Sequence, residues 1–160
     1  MNINIRKINA NEIDEFRILI KEVYDEYVAC DYSEIGSRTF YDFIEINKMR
    51  ERYNNGNLMI GAFSLNEMAG ACEIRNGSHI ALFFVKKSYQ KMGIGRKLFD
   101  YSLKIAREKT PDMKIMTVNS SPYALDIYKK LGFKVVSELQ EKDGIKFIPM
   151  EYKIMPGLNK

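Results

Sequence analysis

The chain has no tryptophan, one histidine, two cysteines and four prolines. Each scarcity removes a class of function. Cys30 and Cys72 lie far apart, have no ligand-type neighbour at a useful spacing, and share the chain with a single histidine, so no metal site is expected. The pair leaves a disulfide open, but two buried free thiols are the reading that a reducing compartment favours. The longest clearly apolar run is Ile80 to Val85, far below the roughly 20 residues of a membrane span. Met1 to Ala10 has no apolar signal core. These absences lead to the expectation of a soluble, cytoplasmic protein with no membrane partner. Repeats, linkers and low-complexity tracts are also missing, so residues 1–160 read as one domain. The net charge of +4 is too mild to argue for nucleic acid as a partner.

What is present is a core-forming composition: 46% apolar residues, with ten tyrosines and nine phenylalanines. Ile3, Ile5 and Ile8 suggest a short strand. Ile13, Phe16, Leu19, Ile20, Val23, Tyr24, Tyr27 and Val28 recur at helical spacing. A second helix is predicted over 38–52, closed by Asn54, Asn55 and Gly56. The period then changes. Leu58 to Ser64, Met68 to Arg75 and Ser78 to Val85 read as a meander, with Asn76-Gly77 as a type I′ hairpin signal. Ser78 to Val85 is apolar on both faces, which places it centrally in a sheet. Gly93 to Lys109 is an amphipathic helix and Met113 to Val118 a strand. Ser121 and Pro122 suit the cap and first position of a further helix, which Leu131-Gly132 closes. Phe133 to Leu139 and Ile145 to Ile154 form a last hairpin around Asp143-Gly144. The predicted order is β α α β β β α β α β β, an α/β (α+β) arrangement.

The most informative stretch runs from Phe83 to Lys97. A buried strand enters a polar loop, then Gln90-Lys91-Met92-Gly93-Ile94-Gly95, then a helix. Glycines at a helix start let the backbone come close to a ligand, and the first-turn amides there have no helical partner. With the helix dipole they make a phosphate site. Lys86, Lys87, Lys91, Arg96 and Lys97 surround it; they suit an anionic ligand or form a solvated face. The dinucleotide fingerprint fails, because Leu98 stands where its third glycine belongs. The P-loop fails too, because Arg96-Lys97-Leu98 does not end in Gly-Lys-Ser/Thr.

Leu82-Phe83-Phe84-Val85 followed by Gln-x-x-Gly-x-Gly resembles the acetyl-CoA motif of GNAT N-acetyltransferases. Downstream, Val118-Asn119-Ser120-Ser121-Pro122-Tyr123-Ala124 and Tyr128-Lys129-Lys130-Leu131-Gly132-Phe133 are similar to that family's other signature. The resemblance is specific over residues 80–133. Lys91 and Met92 depart from the residues often found at those sites, which matters little to a turn that works through its backbone.

The resemblance implies a GNAT-type mixed, mostly antiparallel central sheet of about seven strands, flanked by helices. It implies acetyl-CoA as cosubstrate and no metal. The CoA contacts it implies are Phe83, Phe84 and Val85 on the strand; Gln90, Lys91, Met92, Gly93, Ile94, Gly95, Arg96 and Lys97 at the turn; and Asn119, Ser121 and Tyr128 beyond. Tyr128 would face the CoA sulfur and protonate the departing thiolate, which a hydroxyl still protonated near neutral pH can do. A backbone amide on the Phe83–Val85 strand would hold the carbonyl oxygen. The family's general base often lies early on that strand, where His79 stands, with Glu73 on the neighbouring strand as the next candidate. His79 would share a strand face with Ala81, Phe83 and Val85, and Glu73 reads otherwise as a surface residue. The acceptor, a small-molecule or peptide amine, would lie against Tyr27, Asp31, Tyr32 and Glu34. A homodimer is a further expectation, since small members often pair through sheet edges or helices. Rival readings are transfer of another acyl group or to a hydroxyl, and a CoA-binding sensor without turnover.

Overall fold

A computed structural model describes residues 2–155. It holds a sheet of eight strands. These are β1 (Ile3–Lys7), β2 (Leu58–Ser64), β3 (Glu67–Arg75), β4 (His79–Val85), β5 (Ile115–Ser120), β6 (Lys134–Val135), β7 (Gln140–Lys142) and β8 (Ile145–Lys153). The helices are α1 (Ile13–Val23), α2 (Glu34–Phe43), α3 (Ile46–Asn54), α4 (Ile94–Lys109) and α5 (Leu125–Leu131). Neighbours run β1-β2-β3-β4-β5-β8-β6, with β7 paired to β8. All pairs are antiparallel except β4 with β5. β4 is therefore central, as its two apolar faces require.

The sheet divides the core in two. On one side α4 and α5 bring Ile94, Leu98, Phe99, Ala106, Tyr128 and Leu131 against Ile60, Cys72, Ile80 and Val118. On the other, α1 and the segments after it bring Phe16, Leu19, Ile20, Tyr24, Phe40 and Met49 against Met59, Phe63, Ala71 and Leu82. Period-two alternation along β2 and β3 serves both sides at once.

Several expectations are corrected. Helix-period residues from Ile13 to Val28 do not form one regular helix: α1 ends at Val23, and Tyr24–Val28 continue as a wider π-type turn. The predicted helix over 38–52 is two helices, α2 and α3, broken at Ile44 and Glu45. Glu45 caps α3 by accepting from the amides of Asn47 and Lys48. α5 starts at Leu125, so Ser121 and Pro122 lie in a turn before it; Ser121 Oγ accepts from Ala124 N at 3.2 Å. The predicted strand Phe133–Leu139 survives only as Lys134–Val135, with β7 added after it, and the hairpin at Asp143-Gly144 joins β7 to β8. Both hairpins at Asn76-Gly77 and Asp143-Gly144 have the positive φ their sequences require. Cys72 is buried but Cys30 is exposed, and both are free thiols. Among the described residues, no helix is long and apolar enough to cross a membrane.

Candidate active site

β4 and β5 pair only at His79–Thr117 and Ile80–Val118, after which the two parallel strands part. A cleft of about 360 Å³ opens between them. Ala81 to Val85 form one wall and Val118 and Asn119 the other. Gln90, Lys91 and Gly95 line one end; Val23, Tyr24, Val28, Tyr32 and Phe40 line the other. Tyr123, Ala124, Ile127 and Tyr128, from the turn and helix after β5, cover the side.

Backbone alternation aims polar groups into this gap. Lys86 N donates to Ala69 O on β3 at 2.8 Å. In an antiparallel pair such bonds recur every second residue, so the amides of Phe83 and Val85 face the opposite edge, toward β5. Val85 O on that edge accepts from Gln90 Nε2 at 2.9 Å. Gln90 thus ties the loop back to β4 with its side chain.

The turn at the cleft's end has the geometry to take an anion. Lys91 and Gly93 take positive φ, 63° and 81°. Gly93 caps α4 without a side-chain hydrogen bond. The helical ladder begins at Lys97 N, which donates to Gly93 O at 3.2 Å. Among the described residues, the amides from Lys91 to Arg96 donate to no protein group, and six such donors at a helix start fit a phosphate. A Cβ on Gly93 would meet nothing within 4 Å, so the approach is open. A Cβ on Gly95 would touch only Val85 and Phe83, at 3.8 and 3.9 Å, and so points along the cleft wall. Met92 and Lys97 are exposed and Ile94 is buried, so only its backbone is available.

The basic residues around the turn divide on inspection. Lys86 is paired with Glu67 at 2.6 Å and Lys87 with Glu26 at 2.7 Å. Arg96 donates to Lys130 O at 2.6 Å and Leu131 O at 3.4 Å, capping α5 and clamping it to α4. Lys91 lines the cleft, as does Lys130.

Tyr128 is 5% exposed and lies between Phe83 and Phe133, with ring centroids at 5.9 and 5.5 Å. Among the described residues nothing hydrogen-bonds its hydroxyl, yet the oxygen is not sealed in; the sealed, unpaired side-chain oxygen is Ser102 Oγ. The Tyr128 hydroxyl therefore opens on the cleft it lines. Burial pushes its pKa up, helped by Cys72 and Tyr32, so it stays protonated and can donate. Asn119 lines the cleft with its side chain exposed.

Neither candidate base reaches the cleft. A bulge sets Glu73 opposite Leu82 and Ile74 opposite Ile80, leaving Ala81 as the extra residue on β4. Ile80 consequently packs with Phe83 and Val85, and His79 turns to the other face instead of sharing theirs. His79 Nδ1 lies 2.7 Å from Thr117 Oγ1. Burial, with Arg75 nearby, pushes its pKa down to about 4. Glu73, expected at the surface, is fully buried; Arg52 Nε at 2.7 Å, Arg52 Nη2 at 3.2 Å and Asn57 Nδ2 at 2.8 Å occupy its oxygens.

Of the expected acceptor residues, Tyr32 lines the cleft. Tyr27 stacks on Tyr123 at 5.0 Å, one layer behind the wall. Asp31 and Glu34 are outside the lining, and Glu34 faces solvent with Arg38 3.6 Å away. Sequence reading missed Tyr24, Phe40 and Tyr123 as wall residues. Tyr24 and Phe40 carry only a helix-period signal, which core and cleft produce alike; Tyr123 sits inside the Ser-Pro-Tyr turn, where its position next to Asn119 and Ser121 was a usable hint.

A family model described as an acetyltransferase (GNAT) domain matches residues 28–154. The chain belongs to this family. A Schizosaccharomyces pombe protein, UPF0039 protein C11D3.02c, is 25% identical to this GNAT chain over 145 residues, covering 84% of this chain and 90% of its own. The solved GCN5-related N-acetyltransferase of Rhodopseudomonas palustris superposes with a TM-score of 0.82 at 18% identity, over 96% of this chain and 97% of that one. The PaiA N-acetyltransferase of Thermoplasma acidophilum, solved in complex with coenzyme A, superposes with a TM-score of 0.75 at 25% identity, over 96% of this chain and 100% of that one. The mixed, mostly antiparallel sheet flanked by helices is the fold of these neighbours.

Proposed function

We propose that the chain moves an acetyl group from acetyl-CoA to a primary amine by direct attack of the amine on the thioester. The observation that carries this reading is one cleft with six unpartnered amides at its end and an open tyrosine hydroxyl on its side. The amides from Lys91 to Arg96 suit the CoA pyrophosphate, with Gly93 and Gly95 leaving it room. The parted edge of β4 suits the pantetheine arm, which Asn119 can also meet. The coenzyme A complex of the Thermoplasma neighbour supports the same ligand.

In the transfer, a C–N bond forms between amine and carbonyl carbon and the C–S bond breaks. The amide of Phe83 or Val85 donates to the carbonyl oxygen as negative charge gathers on it. Tyr128 gives its proton to the departing sulfur and is restored by the proton the amine loses. Among the described residues, no carboxylate or histidine lines the cleft. The amine therefore enters uncharged, or sheds its proton to water; a simple alkyl ammonium has a pKa of about 10, so the rate should rise with pH.

The test is incubation of the protein with acetyl-CoA and a panel of amines, following free thiol. Amine-dependent thiol release is expected. Tight acetyl-CoA binding with no amine-dependent release across the panel would favour a sensor over an enzyme.

A further inference from the structure

The end of the cleft away from the phosphate turn carries a substrate preference. Resting on the acetyl-transfer reading, we propose that the acceptor is a small amine with an aromatic or other flat apolar body and no second positive charge. The wall of that end is Tyr32, Phe84 and Tyr123, with Phe40 and the fully buried Tyr24 packed behind them. These rings brace one another. Tyr24 stacks on Phe40 at 3.9 Å with 5° between planes, Tyr32 meets Tyr24 edge-on at 5.6 Å, and Phe84 meets Phe40 edge-on at 6.2 Å. Tyr24 Oη lies 2.9 Å from Ser37 Oγ, so that hydroxyl is engaged with α2. Preset rings give a flat apolar ligand area and edge-to-face contact at little ordering cost.

The described wall offers a second cation ring faces but no counter-charge. Among the described residues, no aspartate or glutamate lines the cleft. Of the acidic residues in the segment before α2, Asp25 binds Lys21 at 2.8 Å and accepts from Tyr41, Glu26 binds Lys87 at 2.7 Å, and Asp31, next to Tyr32, stands outside the lining. Tyr32 is no substitute for a carboxylate, since burial, with Tyr24 and Asp31 nearby, pushes its pKa up to about 12. Lys91 and Lys130 add like charge at the other end. A polyamine or polycationic sugar would bring a second ammonium among rings with no carboxylate in the described lining, and ring faces return only part of the cost of desolvating it.

The test uses the full-length protein at saturating acetyl-CoA and measures thiol release with 2-phenylethylamine and tyramine against putrescine and spermidine. Calorimetry of acetyl-CoA binding is run alongside. The expected result is kcat/KM at least about tenfold higher for the arylalkylamines, on the scale that apolar pocket contacts supply. Tyr32→Ser should reduce that preference while leaving acetyl-CoA affinity unchanged. A preference for putrescine or spermidine overturns the acceptor class and leaves the acetyl-transfer reading standing. Acetyl-CoA binding without turnover of either arylalkylamine overturns the acceptor class as well. Absence of acetyl-CoA binding in the wild-type protein overturns the underlying reading and this inference with it.

Discussion

Two residues named for the same chemistry turn out to have opposite environments. Tyr128 is held by Phe83 and Phe133 but leaves its hydroxyl open on the cleft. Tyr128→Phe keeps the ring and removes only the O–H. Turnover should fall on the order of ten- to a thousandfold, as expected for loss of a general acid. Acetyl-CoA affinity and melting temperature should change little, because the hydroxyl has no partner among the described residues to lose. Steady-state thiol release with a free amine that the wild-type protein acetylates checks this, and full turnover in the variant would remove Tyr128 from the mechanism. His79 faces away, bonded to Thr117, with its pKa pushed from 6.5 down to about 4. The folded protein resists protonating it, while the unfolded chain takes the proton near pH 6.5. Its contribution to stability is therefore full above about pH 6.5 and is lost as pH falls toward 4. Between pH 7 and pH 4.5, wild type should lose more stability than His79→Gln, which keeps a side chain able to bond Thr117. Urea unfolding of both proteins at the two pH values measures this; a difference independent of pH would contradict it.

At the scale of elements, the buried Arg52–Glu73 pair joins α3 to β3. Glu73 is wholly shielded, and Arg52 also donates to Phe43 O at 2.8 Å and stacks over the Phe43 ring at 3.9 Å. Arg52→Ala would leave a buried carboxylate with only Asn57 beside it. The cost should be about 3–5 kcal/mol, the range for removing one partner of a buried pair. Urea unfolding at pH 7 reads it, and a loss below about 1 kcal/mol, within the ordinary range for single substitutions, would contradict the structural role. The same pair explains what the sequence could and could not tell. Glu73 stands in a strand whose alternation suggests solvent, and its partner lies 21 positions upstream on a separate helix. Long-range pairing of that kind leaves no periodic trace. The meander, α4 and both hairpin turns were legible because period and glycine placement act locally. The split of α2 from α3 was not, since one apolar stripe runs through the break and only Glu45 marks it. The face of His79 was misread because a single bulged residue, Ala81, inverts every side chain before it.

At the scale of the whole molecule, function follows from one departure from regular sheet. β4 and β5 pair at two positions and then part, and everything assigned to the site lines the resulting cleft or closes its ends. The basic residues near it are mostly structural: Lys86, Lys87 and Arg96 bind protein partners. Affinity for a phosphate then rests on the backbone amides together with Lys91 and Lys130, and a side chain in the amides' path can block it. Gly95 provides the place, since a Cβ there makes ordinary contacts with Val85 and Phe83 and does not strain the fold. Calorimetric titration of acetyl-CoA into wild type and Gly95→Glu, with a thermal melt of each, is the most direct test. The predicted result is a variant that melts like wild type but binds at least about a hundredfold more weakly, a loss of about 2.7 kcal/mol. Equal acetyl-CoA affinity in a folded Gly95→Glu protein would contradict the assignment of the turn and the cleft.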